Sequence, residues 1–508
     1  MTGGLGPGLL RAADAADARP LIDPDQGGDF PWSGRVRNII FFAYDGTGYE
    51  NAAAAGYFSR RLLGRPLLFE RLHSAGRSGS MMTHSLTSIV TDSAAASSAW
   101  STGRKVVNPA LSMYPDERPL TTILELARQS GRRTGLATST RITHATPAAW
   151  AASAIHRNDE ESVAAQYLDL EVDLLLGGGR APFDQREDRR NLFDEFRDKG
   201  YDVVHTSSQL EASNASKVLG VFTPGMDHMP YEIDRRFQQD PAPSLAELTT
   251  KALSILGEME EGFVLQIEAG RIDHANHYSD PGALIWDWIA ADEALQVVLD
   301  YVDRNPDTLL ISASDHETGG SVVYGFGAWY LDSTPAFESI QNARSSHEWL
   351  VRHAIPEQAS ADEIRELVEE YLAISVSPED AAQLAGLLEE RPLPRERWLG
   401  HPNAHTNQPD NSLGYLLSIS RDWSPDRPNI VFATGNHTAG LVPAVLYGPM
   451  VPTGNLGIID NTDLFYIMLD ALGIDFQNPA MTEEEALQLA VAPDPDREGL
   501  HTHTILHT

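Results

Sequence analysis

Short apolar runs recur along the chain, and most of them stop at a polar residue: NIIFFAY (38–44), TGLATST (134–140), VDLLLGG (172–178), FVLQIE (263–268), LLISAS (309–314) and NIVFAT (429–434). Runs this short, rich in β-branched residues and apolar at nearly every position, predict strands buried on both faces. Between them lie segments with helical spacing. TTILELAR (121–128) stops near Gly131, and 244–256 follows a Pro-rich turn in an amphipathic pattern. Strand and helix in alternation predict an α/β fold, a three-layer sandwich in which a large, mostly parallel central sheet is flanked by helices.

Residues 1–34 are Gly-, Ala-, Pro- and Asp-rich without a sustained period, which predicts an N-terminal arm. Composition shifts again at 322–425, between two predicted strands. This divides the chain into a discontinuous catalytic α/β domain (35–321 and 426–508) and an acidic insertion. Within the insertion, Ser360 and Glu363 predict a capping box, and Ser377 followed by Pro378 opens a second helix. Such a helical hairpin serves either as a solvated flap or as a lid or dimer contact.

The residues directly after the apolar runs are unusually polar. Asp45 succeeds the first, Glu268 ends the fourth with Asp273 and His277 just beyond, Asp315 and His316 succeed the fifth, and His437 comes soon after the sixth. A single strand-end Asp reads as a turn residue. Repetition at several strand ends, where parallel sheets gather their ligands, points to a metal centre. The chain has no cysteine, so carboxylate, imidazole and hydroxyl must supply any ligands, a set suited to zinc and magnesium. Asp92-Ser93 precedes an Ala-rich helical run, so Ser93 is either part of a helix cap or a nucleophile at a helix N-terminus.

Charge narrows the partners. The 72 Asp and Glu against 38 Lys and Arg leave a formal charge of −34, which repels nucleic acid and anionic lipid. No apolar stretch reaches the roughly 20 residues of a membrane span, so neither a nucleic-acid partner nor membrane insertion is expected. LLLGGGR (174–180) lacks the Lys-Ser/Thr of a phosphate-binding loop and predicts a tight strand-end turn. The HTHTILHT end (501–508) reads as a tail.

Taken together, IIFFAYDGTG (39–48), TDSAAASSAWSTG (91–103), HATPAAW (144–150), IEAGRIDHANH (267–277), SASDHETGG (312–320) and GNHTAG (435–440) resemble, in order, the motifs of the alkaline phosphatase family. The resemblance runs from about Val36 to Leu472. It implies hydrolysis of phosphate monoesters at alkaline pH through a phosphoserine on Ser93, with two Zn2+ and one Mg2+ per chain. By position, Asp273, His277 and His437 would hold the first zinc, and Asp45, Asp315 and His316 the second. Asp45, Thr146 and Glu268 would hold magnesium, and Arg157 the substrate phosphate. Asp92, His144 and His274 would stand just behind these groups. His144 and His274 occupy positions where one bacterial branch carries Asp and Lys, so they are similar to the His/His type. The resemblance also implies a homodimer and a periplasmic or secreted location. Two readings compete: a sulfatase or phosphodiesterase of the same superfamily, although Ser93-Ala-Ala does not fit a Cys/Ser-x-Pro-x-Arg pattern, and a catalytically inert acidic cation-binding protein.

Only four of the cationic residues are lysines (Lys105, Lys199, Lys217 and Lys251). Arginine in place of lysine together with surplus carboxylate marks a surface adapted to concentrated salt. We therefore expect the thermal unfolding midpoint to rise between low and molar NaCl; a flat or falling midpoint would show an acidic protein with no salt adaptation.

Overall fold

In the computed structural model, residues 32–258, 260–356, 358–389, 427–452 and 454–489 are described. Most of the predicted arm, residues 390–426 with the end of the predicted insertion, and the C-terminal tail lie outside them. The strands are β1 (Asn38–Tyr44), β2 (Arg77–Met82), β3 (Arg133–Arg141), β4 (Leu174–Gly178), β5 (Asp202–Val204), β6 (Val218–Val221), β7 (Phe263–Ala269), β8 (Thr308–Ala313), β9 (Glu317–Thr318), β10 (Val322–Val323), β11 (Ile430–Val431), β12 (His437–Thr438), β13 (Val442–Tyr447) and β14 (Gly457–Asp460). Ten of them form one sheet in the order β14-β2-β13-β8-β1-β7-β3-β4-β6-β5. Only β13 opposes its neighbours in this sheet.

Every residue of β1 is buried, as a central strand between two helical layers requires. Its side chains alternate between two cores. Ile40, Phe42 and Tyr44 pack with the helices Leu245–Leu256 and Pro281–Arg304. Ile39, Phe41 and Ala43 pack with Ser93–Thr102, Ile123–Gln129 and Asp463–Leu472. The three-layer α/β prediction is thus what the chain forms.

One predicted strand is corrected. NIVFAT contributes only β11, which pairs with β10 outside the main sheet, while Ile430 and Phe432 sink into the first core. An apolar run of this length fits either a sheet strand or a piece packed over the sheet, because periodicity does not separate them. Here the segment must lift off the sheet to bring His437 back over the strand ends, and β12 pairs with β9 in doing so. Sheet strands β2, β5, β6, β13 and β14 were not foreseen, β2 because RSGSMM carries no apolar period.

Both predicted helices of the insertion form. Ser360 Oγ accepts from the Glu363 N–H at 3.3 Å and Glu363 Oε2 accepts from the Ser360 N–H at 2.8 Å, opening the helix Ala361–Leu372. Ser377 Oγ accepts from the Asp380 N–H at 3.0 Å at the start of Pro378–Glu389. Ile364, Val368 and Leu372 join the first core, so this part of the insertion is packed and not a solvated flap. Two buried aspartates staple its middle to the body. Asp234 accepts from the Ser346 N–H (2.7 Å) and Oγ–H (2.6 Å), and Asp280 accepts from the His347 N–H at 2.6 Å. No helix among the described residues is long and apolar enough to cross a membrane.

Burial drives the Asp234 carboxyl up to about 8 from its ordinary 3.8, despite the hydrogen bonds from Ser346. Unfolding therefore releases a proton between those values, so this carboxyl's contribution to stability is fully present below about pH 4 and is lost as pH rises toward 8. Asp234→Asn keeps an acceptor for the Ser346 N–H and removes this titration. The variant's melting midpoint is expected to gain on that of the wild type between about pH 6 and pH 9; parallel curves would contradict the assignment.

Candidate active site

The carboxyl ends of β1, β7 and β8 lie side by side, because β1 pairs in parallel with both neighbours and Ala43 is in register with Glu268 on one side and Ala313 on the other. That register converts strand-end residues distant in sequence into one cluster. Asp45, Glu268, Asp273 and Asp315 are all buried, none more than 2% exposed. Gly46 makes the approach possible. Its φ of +72° and a virtual Cβ only 2.5 Å from Asp273 Cα leave no room for a side chain.

Buried carboxylates of like charge are costly unless cations or protons neutralise them. Burial, then Asp315, Asp273 and Glu268, push Asp45 well above the usual carboxylate range. Burial likewise raises Glu268 to about 7, although hydrogen bonds such as that from Thr138 oppose it. Asp45 Oδ1 and Glu268 Oε1 have no hydrogen-bond partner among the described residues.

The histidines are oriented to meet these acids. His277 Nδ1 lies 2.6 Å from the Gly435 carbonyl, and His437 Nδ1 lies 2.8 Å from the Thr91 carbonyl. A carbonyl only accepts, so in each ring the N–H is at Nδ1 and the lone pair at Nε2. Yet the two Nε2 atoms face one another at 3.2 Å, with His277 Nε2 also 3.2 Å from Asp273 Oδ2. Thr318 Oγ donates to Asp273 Oδ1 (2.5 Å) and therefore accepts from His316 Nδ1 (3.1 Å), which turns His316 Nε2 inward as well. That nitrogen lies 3.0 Å from Asp315 Oδ2 and 3.1 Å from Ser93 Oγ. Converging lone pairs and carboxylates are a donor set that fits divalent cations. Ligand atoms of Asp45, Asp315 and His316, of Asp273, His316 and His437, and of Asp45, His144 and Glu268 each lie within 4.8 Å of one another.

Ser93 is the first residue of its helix, and Asp92 caps it by accepting from the Ala95 N–H at 2.9 Å. The cap is therefore Asp92, which leaves Ser93 Oγ at the helix N-terminus and facing His316. Asp273 and His277 share one face of the helix Arg271–His277, as their spacing allowed. Thr146 Oγ donates to Asp45 Oδ2 at 3.4 Å. Arg157 is buried; its Nη1 donates to Asp92 Oδ2 at 3.2 Å and its Nη2 to His144 Nε2 at 2.9 Å. His144 and His274 are buried too.

Several participants were missed by sequence reasoning. Thr318 orients His316 and Asp273 together. Thr138 and Thr140 donate to Glu268 Oε2. His228 stacks its ring edge-on against His274, with centroids 4.3 Å apart. Thr318 lies inside SASDHETGG and could have been flagged as a hydroxyl beside a ligand; His228 carried no sequence signal.

Residues 36–474 match the alkaline phosphatase family. The chain is 40% identical to the alkaline phosphatase of Thermus thermophilus, whose crystal structure superposes with a TM-score of 0.85 over 96% of this chain and 99% of that one. It is 28% identical to alkaline phosphatase 4 of Bacillus subtilis over 86% of this chain and 89% of that protein. It is 34% identical to the repressible alkaline phosphatase of Saccharomyces cerevisiae over 64% of this chain and 62% of the yeast protein. The strand-end carboxylates, the inward-turned histidines and a match covering nearly the whole sheet lead to one conclusion: the chain belongs to the alkaline phosphatase family, metal-dependent hydrolases of phosphate monoesters.

Proposed function

We propose that hydrolysis runs through a phosphoserine on Ser93. The observation that carries this reading is the placement of Ser93 Oγ at a helix N-terminus, beside the inward-facing Nε2 of His316. Asp273, His277 and His437 would hold one zinc and Asp45, Asp315 and His316 the second. Asp45, Thr146 and Glu268 would hold magnesium, with His144 beside them. When bound, these ions supply Lewis-acid stabilisation of the attacking and departing oxygens.

The chain's own groups account for the remaining chemistry. Ser93 Oγ forms a bond to phosphorus as the ester P–O bond breaks and the alcohol leaves. Water then displaces Ser93 from phosphorus, giving inorganic phosphate and restoring the hydroxyl. Backbone N–H groups at the start of Ser93–Thr102 face the anion. Arg157, braced by Asp92 and His144, presents a guanidinium to two phosphate oxygens. Binding centred on the phosphate predicts a broad range of alcohol leaving groups.

With an aromatic phosphate monoester at alkaline pH, Ser93→Ala is expected to lose about a thousandfold or more in kcat while keeping its metal content; undiminished turnover would remove Ser93 from the mechanism. Arg157→Ala is expected to weaken inhibition by inorganic phosphate about tenfold to a hundredfold. Chelation should abolish turnover and lower the melting midpoint, and zinc with magnesium should restore both. Faster cleavage of a diester or sulfate ester than of the monoester would instead favour the diesterase or sulfatase reading.

A further inference from the structure

Arg271 is the most deeply buried cation near the site, 1% exposed. Its guanidinium lies 3.6 Å from the centroid of the Tyr231 ring. Nη1 lies 2.8 Å from His274 Nδ1, and Nη2 donates to Glu348 Oε2 at 2.6 Å. Glu348 comes from the insertion and stands directly after the two residues stapled by Asp234 and Asp280. Arg352, one helical turn further on, lies 3.4 Å from Glu348 Oε1. Burial pushes Glu348 up, but Arg271 and Arg352 outweigh it and hold its carboxyl at about 2.

A guanidinium has donors and no acceptor. His274 Nδ1 must therefore accept, and the ring proton is confined to Nε2. The imidazole is also clasped by two others, with centroids 5.5 Å away at His144 and 4.3 Å at His228, both edge-on. His144 in turn accepts from Arg157 through Nε2. A continuous set of contacts thus runs from the insertion to the arginine that faces the phosphate: Glu348, Arg271, His274, His144, Arg157.

We propose that Arg271 and Glu348 are positioning residues of the phosphatase reaction: Glu348 aims Arg271 at His274, and Arg271 fixes His274 in the Nε2–H tautomer, a permanent hydrogen-bond donor beside the His144–Arg157 pair. This rests on the phosphomonoesterase reading above. Neither residue touches substrate, and the insertion acts on chemistry through them.

The test uses full-length, zinc- and magnesium-loaded protein labelled with 15N at histidine. A two-bond proton–nitrogen spectrum reports the tautomer of each ring, and the His274 signal is identified by its loss in His274→Gln. Wild type is expected to show the Nε2–H pattern. Arg271→Met is expected to show Nδ1–H or a mixture and to lose about tenfold or more in kcat/KM. Arg271→Lys, which retains a donor, should recover part of that loss. Should Arg271→Met fail to fold, Glu348→Gln, which removes only a charge, is read in the same way, with a smaller change expected in the same direction. An unchanged kcat/KM overturns the proposal, and so does a fall in kcat/KM with an unaltered His274 pattern, which would mark Arg271 as purely structural. If wild type releases no phosphate, the enzymatic reading fails and the catalytic role falls with it, yet the spectrum still decides who fixes the tautomer.

Discussion

Four carboxylates, Asp45, Glu268, Asp273 and Asp315, sit together in the protein interior with almost no access to water. Their mutual repulsion is the constraint around which the rest is arranged. Parallel pairing of β1 with β7 and β8 creates the crowding, and the centre must take up either protons or metal ions to relieve it. Without metal, protons are the available remedy, which is why Asp45 and Glu268 are held toward their neutral forms. Metal binding would expel those protons, coupling occupancy of the site to pH and to stability. The sheet's two well-packed cores offset the cost of assembling so much charge.

Orientation of the imidazoles stems from the same requirement. His277 and His437 are turned by backbone carbonyls, His316 by a threonine, His144 and His274 by arginines. The chemistry differs between the two groups. Rings held by acceptors keep a lone pair facing inward and are suited to ligation, whereas His274, held by a donor, is left with a proton to give. His144, held at Nε2 by Arg157, is likewise left with its proton at Nδ1, which is without a partner among the described residues. Five histidines in one small volume are thereby given separate duties by what lies behind them.

Much of this was legible in the chain. Runs such as NIIFFAY and FVLQIE state both their burial and where they stop, so β1 and β7 and the acids at their ends could be read directly. Ser93 and Arg157 were legible only through the resemblance, since an Asp-Ser cap and an Arg in IHRND are ordinary by themselves. What escaped were relations between distant segments: Thr138 beneath Glu268, His228 against His274, Glu348 against Arg271. Each is a polar residue without local periodicity whose role exists only after the sheet has set the register. NIVFAT misled for a related reason, because its apolarity serves a core reached from above the sheet.

The closure of the insertion has a different sort of consequence. Val322 pairs with Val431 and Val323 with Ile430, so a segment of more than a hundred residues leaves and re-enters the body at one point. A stem closed in this way isolates the register of the sheet from whatever length of chain lies between, since enlarging a loop whose ends are already joined adds little entropy cost. Descendants of such a gene can therefore lengthen, trim or replace much of this cassette while the metal-binding scaffold beneath it folds as before. The exceptions are the stretch around Ser346, His347 and Glu348, which is sewn into the body, and the helix that gives Ile364, Val368 and Leu372 to the first core, and together they set how far that freedom extends.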